Sequence, residues 1–180
     1  MFPGRAEGMA RSGSVAWITG LSGAGKSEVA GSLVGRLHER GTRPVLLDGD
    51  ELRETLGVRS GYDLSSRRAL AATYARMCLL LSGQGHVVVC ATISLHHDIH
   101  DWNREHLPGY LEVFLDVPVG ELRRRDPKGI YRDGTDIVGT GGFAAEFPLA
   151  PDLRIRNVAP LTAREAGARI FEAGAGKGMW

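Results

Sequence analysis

The 180-residue sequence predicts an α/β fold, a three-layer sandwich in which helices cover both faces of a central parallel sheet. Short apolar runs alternate with segments of helical periodicity, the pattern of parallel strands joined by helical crossovers. The apolar runs are almost continuous, as in strands buried on both sides. A glycine-rich turn joins the first run to the first helix. We therefore expect a single domain over residues 14–173, with flexible tails at 1–13 and 174–180.

About five strands are expected from the apolar runs. They are Val15–Thr19, Val45–Asp48, Val87–Ala91, Leu111–Val117 and Leu153–Asn157. The first helix has apolar residues at a spacing of four and ends before Gly41. The predicted helices are Lys26–Arg40, Ser65–Ser82, Leu95–His106, Pro118–Arg125 and Thr162–Ala173. Residues 126–147 contain many glycines, and so long a connection in a compact domain is usually functional or disordered.

Charge and composition narrow the classes of function. The formal net charge of +1 creates no overall field that favours nucleic acid or an anionic membrane. Cys78 and Cys90 lie in apolar runs, which favours buried reduced thiols over a disulfide framework. The longest apolar run, Val87–Ala91, is too short to span a bilayer. We expect a cytoplasmic protein with no nucleic-acid or membrane partner.

The most specific motif is the turn Gly20-Leu21-Ser22-Gly23-Ala24-Gly25-Lys26-Ser27. It matches G-x-x-x-x-G-K-[ST] directly between a strand and a helix, as a P-loop requires. Glycines let backbone N–H groups surround a polyphosphate, and the helix N-terminus adds further N–H groups and a positive dipole end. Lys26 can reach the β- and γ-phosphates, and the Ser27 hydroxyl can bind Mg²⁺. The motif predicts a P-loop NTPase fold that binds ATP and Mg²⁺.

A nucleotide switch with the same motif is the alternative from another class. It would need a strand ending in Asp-x-x-Gly and an Asn-Lys-x-Asp segment that reads the base. The third predicted strand ends in Val89-Cys90-Ala91-Thr92, and Asn-Lys-x-Asp does not occur in the sequence. A kinase acting on a small molecule is therefore favoured.

Three further segments carry a resemblance to a known family. They are Leu47-Asp48-Gly49-Asp50-Glu51-Leu52-Arg53, the pair Ile93-Ser94, and Asp126-Pro127-Lys128-Gly129-Ile130-Tyr131. Together with the P-loop, they resemble the adenylylsulfate kinase family over roughly residues 15–157. That family transfers the ATP γ-phosphate to the 3′-hydroxyl of adenylylsulfate, so the resemblance implies a MgATP-dependent kinase with a nucleotide acceptor.

The resemblance also implies roles for individual residues. Asp50 would orient the acceptor hydroxyl or a Mg²⁺-bound water, although an Asp at this point could also cap a helix. Lys128 would close on the phosphates from a lid loop within residues 126–147, and Arg125 would lie against the ATP adenine. The residues expected on the substrate side are Asp48, Arg53, Arg67, Ile93 and Ser94. A strand-end aspartate such as Asp48 often only satisfies loop N–H groups.

The acceptor side departs from the family pattern. After Gly-Phe-Ser the family carries Asp-Arg and then Asn-Ile-Arg-Arg on a helix that grips the acceptor. Here Arg67 takes the place of the first arginine, whereas Leu70, Ala72 and Thr73 stand where the family has Asn and two Arg. Losing guanidinium groups that bind an anion is not a neutral change. Adenylylsulfate is therefore expected to be a poor substrate.

A second resemblance covers Ile93–Tyr110, which looks like adenylylsulfate-kinase-like proteins of bacterial capsule clusters. One known activity of those proteins is phosphorylation of cytidine diphosphoramidate. This nucleotide or a related one is the favoured acceptor, and adenylylsulfate is the alternative. Trp102, within the same segment, would either stack on a base or belong to the core. A homodimer is compatible with the sequence.

Overall fold

The computed structural model describes residues 13–58, 63–126 and 145–180. Five parallel strands form one sheet in the order β2-β3-β1-β4-β5. The strands are β1 Ser14–Thr19, β2 Val45–Asp48, β3 Val87–Thr92, β4 Tyr110–Asp116 and β5 Leu153–Arg156. The helices are α1 Lys26–Glu39, α2 Gly49–Thr55, α3 Leu64–Ser82, α4 His97–His106, α5 Val119–Arg125 and α6 Ala163–Gly176. The predicted α/β fold with a parallel sheet is confirmed.

The first strand lies at the centre of the sheet. Its register with β3 runs from Ser14 opposite Val87 to Thr19 opposite Thr92, and β4 pairs along its other side. Every residue of β1 is buried. Because the strands are parallel, the loops after β1, β3 and β4 all leave the sheet at its carboxyl edge, the usual ligand position in such folds.

Helices bury apolar side chains on both faces of the sheet. One core cluster joins β1 and β4 to α1 and α6, with Leu33, Leu111 and Ile170 all fully buried. The other joins β1 and β3 to α3 and α4. Cys78 and Cys90 belong to this second cluster as free, buried cysteines, as the apolar runs around them predict. None of the helices in the described ranges is long and apolar enough to cross a membrane.

The carboxyl-terminal residues differ from the expected flexible tail at 174–180. Helix α6 continues to Gly176, and the chain then folds back so that the Trp180 indole N–H donates to the Phe171 carbonyl at 3.1 Å. The Ser14 hydroxyl donates to the Met179 carbonyl at 3.0 Å. Gly174 makes this packing feasible, since a Cβ there would lie 2.0 Å from the Trp180 ring. The prediction was wrong because the apolar Met179 and Trp180 find partners on α6 and β1.

Replacing Trp180 tests this docking. Trp180→Ala removes the ring contact with Phe171, whose centroid lies 6.0 Å away, together with the indole hydrogen bond. We expect a loss of about 1–3 kcal/mol in the free energy of unfolding, measured by urea denaturation. The control is Leu149→Ala, at a side chain that is 82% exposed, which should change stability by less than about 0.5 kcal/mol. Equal stability of the two variants would mean that the end of the chain is not docked.

Candidate active site

The P-loop lies between β1 and α1. Helix α1 begins at Lys26, and its N-cap is Gly25, which has a φ of 84°. Because glycine has no side chain, it cannot cap the N–H groups of the helix, and no other described side chain does so. Position 25 requires glycine for two reasons. Residues with a side chain rarely adopt its left-handed conformation, and a Cβ there would lie 2.8 Å from the Asn157 amide nitrogen. The uncapped N–H groups and the positive end of the helix dipole fit a polyphosphate.

Asn157 holds this loop from the other end of the chain. Its side-chain amide donates to the Ala24 carbonyl at 2.8 Å across 133 residues of sequence. The Asn157 backbone carbonyl in turn accepts from the Arg125 guanidinium at 2.7 Å, and this guanidinium also donates to the Glu121 carboxylate at 2.9 Å. Asn157 was not among the site residues predicted from the sequence. Its only signal was a polar residue directly after a buried strand, at the edge where ligands bind.

Lys26 and Ser27 both form hydrogen bonds with other residues of the site. The Lys26 ammonium donates to the Leu21 carbonyl at 2.8 Å, so the side chain folds back over the loop. The Ser27 hydroxyl donates to Asp48 Oδ2 at 2.6 Å. A hydroxyl beside a carboxylate supplies the hard oxygen atoms that Mg²⁺ prefers. The arrangement therefore fits the predicted MgATP site.

Asp48, rather than Asp50, caps helix α2. Asp48 Oδ1 accepts from the Asp50 backbone N–H at 2.9 Å, which makes Asp48 the N-cap. The predicted cap role of Asp50 is wrong because helix α2 already begins at Gly49, which places Asp50 inside the helix and Asp48 at the cap position. The Asp50 carboxylate is instead exposed in the first turn of α2, beside the Ser27–Asp48 pair.

The loop after β3 forms the opposite wall of the site. The Thr19 hydroxyl donates to the Ile93 carbonyl at 2.6 Å, which ties the end of β1 to this loop. The Ser94 hydroxyl shares a 2.8 Å hydrogen bond with that of Thr92, and Ser94 is buried. A Cβ on Gly49 would lie 3.2 Å from the Ala91 carbonyl, so the start of α2 adjoins the end of β3. The structure thus brings Asp48, Asp50 and Ser94 to neighbouring loops.

The predicted arginines of the substrate side lie on α2 and α3. Arg53 is half-buried, and its guanidinium lies against Tyr74, whose hydroxyl donates to the Gly49 carbonyl at 3.2 Å. Burial raises the pKa of Tyr74, while the nearby Arg53 charge opposes the shift. Arg67 is half-buried in the first turn of α3. Lys128 lies outside the described residues.

The three substituted positions on α3 offer little to an anion. Leu70 and Ala72 pack against the second core cluster. The Thr73 hydroxyl donates to the Ala69 carbonyl of its own helix at 3.0 Å. Trp102 likewise packs against this cluster and stacks on His106 at a centroid distance of 4.5 Å, which favours its core role over base stacking.

Comparison with known proteins identifies the family. The family model described as adenylylsulphate kinase matches residues 12–156, most of the chain. The chain belongs to the adenylylsulfate kinase family. It is an ATP-dependent kinase that phosphorylates a hydroxyl group, and the nucleotide switch is set aside.

Two curated relatives and one solved structure show the range of this family. The cytidine diphosphoramidate kinase of Campylobacter jejuni is 37% identical over 147 residues, which is 79% of this chain and 85% of the relative. The adenylyl-sulfate kinase of Burkholderia ambifaria is 40% identical over 148 residues, which is 79% of this chain and 82% of the relative. The APS kinase of Mycobacterium tuberculosis, solved in complex with AMPPNP and APS, has a TM-score of 0.78 and 31% identity, covering 90% of this chain and 97% of that chain.

Replacing Asn157 tests its contact with the P-loop. Asn157→Ala removes the donor to the Ala24 carbonyl. If ATP binding is weakened by about 1–1.5 kcal/mol, the KM for ATP rises about tenfold. The KM for the acceptor should stay within about twofold, because Asn157 lies on the β5 side of the loop. The exposed Gln84→Ala serves as the control. An unchanged KM for ATP in a stably folded Asn157→Ala variant would contradict this role.

Proposed function

We propose that this family member uses MgATP to phosphorylate the ribose 3′-hydroxyl of a nucleotide, and that cytidine diphosphoramidate or a related activated nucleotide is preferred to adenylylsulfate. The observation that carries the proposal is the contrast between the two halves of the site. The ATP half keeps the P-loop with its Lys26 and Ser27, whereas the acceptor helix presents Leu70, Ala72 and Thr73 to its own core and backbone.

On the ATP side, the proposed Mg²⁺ site consists of the Ser27 hydroxyl with the Asp48 carboxylate nearby, directly or through water. The metal, when bound, neutralises charge that develops on the phosphate oxygens. Lys26 would exchange its Leu21 carbonyl partner for those oxygens. Arg125 would contact the adenine with the face of a guanidinium whose edge is fixed by Glu121 and Asn157.

On the acceptor side, Asp50 is the proposed proton acceptor or orienting group. Its backbone N–H is held by Asp48, which fixes the start of α2 beside the metal site. A carboxylate at that point can orient the attacking hydroxyl toward the γ-phosphate. The proposed substrate contacts are Arg53, Arg67, Ile93 and Ser94, and Lys128 is proposed to approach the phosphates.

Charge balance around α3 supports the preference against adenylylsulfate. Arg68, which follows the predicted substrate-side residue Arg67, is paired with Asp98 at 3.3 Å and lies 3.7 Å from Glu146. These carboxylates partly neutralise the charge of Arg68, so less of it is left to bind an acceptor. Arg76 is exposed further along the same helix and is the remaining candidate to replace a lost arginine.

Adenylylsulfate kinase activity is the second candidate. It is favoured by the 40% identity to the Burkholderia ambifaria enzyme, which is named for this activity. The half-buried Arg53 and Arg67 would then have to bind the acceptor's charged groups without the arginines that the family carries at positions 72 and 73.

Asp50→Asn separates chemistry from binding. Because the amide keeps the shape of the side chain but cannot accept a proton, turnover should fall about a hundredfold or more while ATP affinity is kept. Steady-state kinetics and calorimetric titration with ATP measure the two quantities. The matched control is Glu51→Gln, on the exposed side of the same turn. Weakened ATP binding with normal turnover would show that Asp50 is only a structural or metal-anchoring residue.

The acceptor preference is tested with purified protein, MgATP and each nucleotide in turn, with products identified by mass spectrometry. Charged hydrogen bonds contribute about 1.5–3 kcal/mol each, so losing two lowers kcat/KM for adenylylsulfate by roughly two to four decades relative to cytidine diphosphoramidate. Thr73→Arg should recover part of this loss for adenylylsulfate alone. A kcat/KM for adenylylsulfate equal to or above that for cytidine diphosphoramidate would contradict the preference.

A further inference from the structure

A titratable pair is buried directly beneath the loop that follows β3. His100 of α4 is 3% exposed and Glu112 of β4 is fully buried. Neither residue belongs to the proposed catalytic or binding set. A buried carboxylate is costly unless its charge is paired or its proton is kept, so this position calls for a physical reason.

His100 contacts the acceptor loop through one ring nitrogen. Its Nε2 lies 3.0 Å from the Ser94 carbonyl oxygen. A carbonyl can only accept, so Nε2 must carry the proton that makes this hydrogen bond. The same carbonyl accepts from the His96 backbone N–H at 3.1 Å. His100 therefore braces the turn that presents Ser94 to the site.

The other ring nitrogen faces Glu112. His100 Nδ1 lies 3.4 Å from Glu112 Oε1, and neither atom has a hydrogen-bond partner among the described residues. With Nε2 protonated, a neutral ring turns a lone pair toward Glu112. A lone pair and a carboxylate oxygen would repel each other in this dry position, whereas one proton between them would satisfy both.

Burial indicates where this proton lies. It raises the pKa of Glu112 against the opposing effect of Arg104, and it lowers the pKa of His100, so both shifts favour the proton on the carboxyl group. Arg104 donates to the other oxygen, Glu112 Oε2, which can accept in either protonation state. The other titratable groups around the pair are His96 before α4, His97 and Asp101 on α4, and Tyr110 on β4. Asp152 also lies nearby; it accepts from the Glu112 backbone N–H and pairs with Lys177.

We propose that His100 and Glu112 are positioning residues for the acceptor. A proton on Glu112 Oε1 is donated to His100 Nδ1, His100 Nε2–H is donated to the Ser94 carbonyl, and this relay of hydrogen bonds fixes the loop at residues 92–96. The step from loop to acceptor rests on the proposed function, in which Ile93 and Ser94 contact the nucleotide. The relay itself is a property of the free protein.

Kinetics with cytidine diphosphoramidate and adenylylsulfate as acceptor probes test the link to the substrate. His100→Phe keeps the volume but removes the donor, and it should raise the acceptor KM roughly tenfold while the KM for ATP stays within about twofold. Glu112→Gln should behave like the unmodified protein, because its amide N–H can replace the carboxyl proton. His106→Phe, at an exposed histidine on the same helix, is the matched control.

The pH dependence gives a second signature. As pH rises through the pKa of the pair, the shared proton leaves and a carboxylate faces the imidazole lone pair, so the acceptor KM should increase. The increase in KM should occur at a pH above the range in which carboxyl groups ordinarily titrate, because the pKa of Glu112 is raised. It should be absent in Glu112→Gln, which has no carboxyl proton to lose. Equal changes in the KM for both substrates, or a Glu112→Gln variant as impaired as His100→Phe, would overturn the proposal.

Measurements without substrate separate this proposal from the acceptor assignment. The ¹⁵N spectrum of His100 in the free protein should show the neutral tautomer with the proton on Nε2. Hydrogen exchange at the His96 amide should accelerate in His100→Phe and stay unchanged in Glu112→Gln. A proton on Nδ1, a doubly protonated ring, or exchange that is the same in all variants would overturn the relay, whichever nucleotide the enzyme phosphorylates. The spectrum needs no variant, so misfolding of His100→Phe would not remove the test.

Discussion

The position of β1 is the constraint on which the site depends. This strand is buried along its whole length and hydrogen-bonded on both sides, so its register is fixed. Thr19 ends level with Thr92, and the Thr19 hydroxyl holds the Ile93 carbonyl at 2.6 Å. The P-loop after Thr19 and the loop after Thr92 therefore leave the sheet at paired residues of neighbouring strands. A shift of one residue would move the apolar side chains of β1 to the wrong faces and separate the two loops.

Asp48 then connects the two halves of the site. One carboxylate oxygen accepts from Ser27, at the start of α1, and the other accepts from the Asp50 N–H, at the start of α2. Asp48 thus links the proposed metal site directly to the helix that carries the proposed proton acceptor. Glycine at position 49 allows α2 to begin close to the Ala91 carbonyl of β3, which keeps both elements within one crevice.

The sequence predicted what is encoded locally. Residues 20–27 form a contiguous motif, and buried parallel strands have recognisable apolar runs, so the P-loop, the sheet and the family followed from pattern alone. Asn157 and Glu112 were missed because their partners come together only through tertiary packing. The docked Trp180 was missed because the space at Gly174 appears only after α6 has formed. The acceptor was not decided either, because pocket chemistry depends on how side chains from several elements converge.

In the proposed function, the ATP half of the site drives phosphoryl transfer to a nucleotide hydroxyl. Its most direct test is the stoichiometry of products when the protein, MgATP and the preferred nucleotide are combined, with ³¹P nuclear magnetic resonance used to locate the new phosphate. The account predicts one ADP for each nucleotide phosphorylated at its 3′-hydroxyl, and no excess of inorganic phosphate. Release of inorganic phosphate without a phosphorylated nucleotide, across the whole set of acceptors, would contradict it.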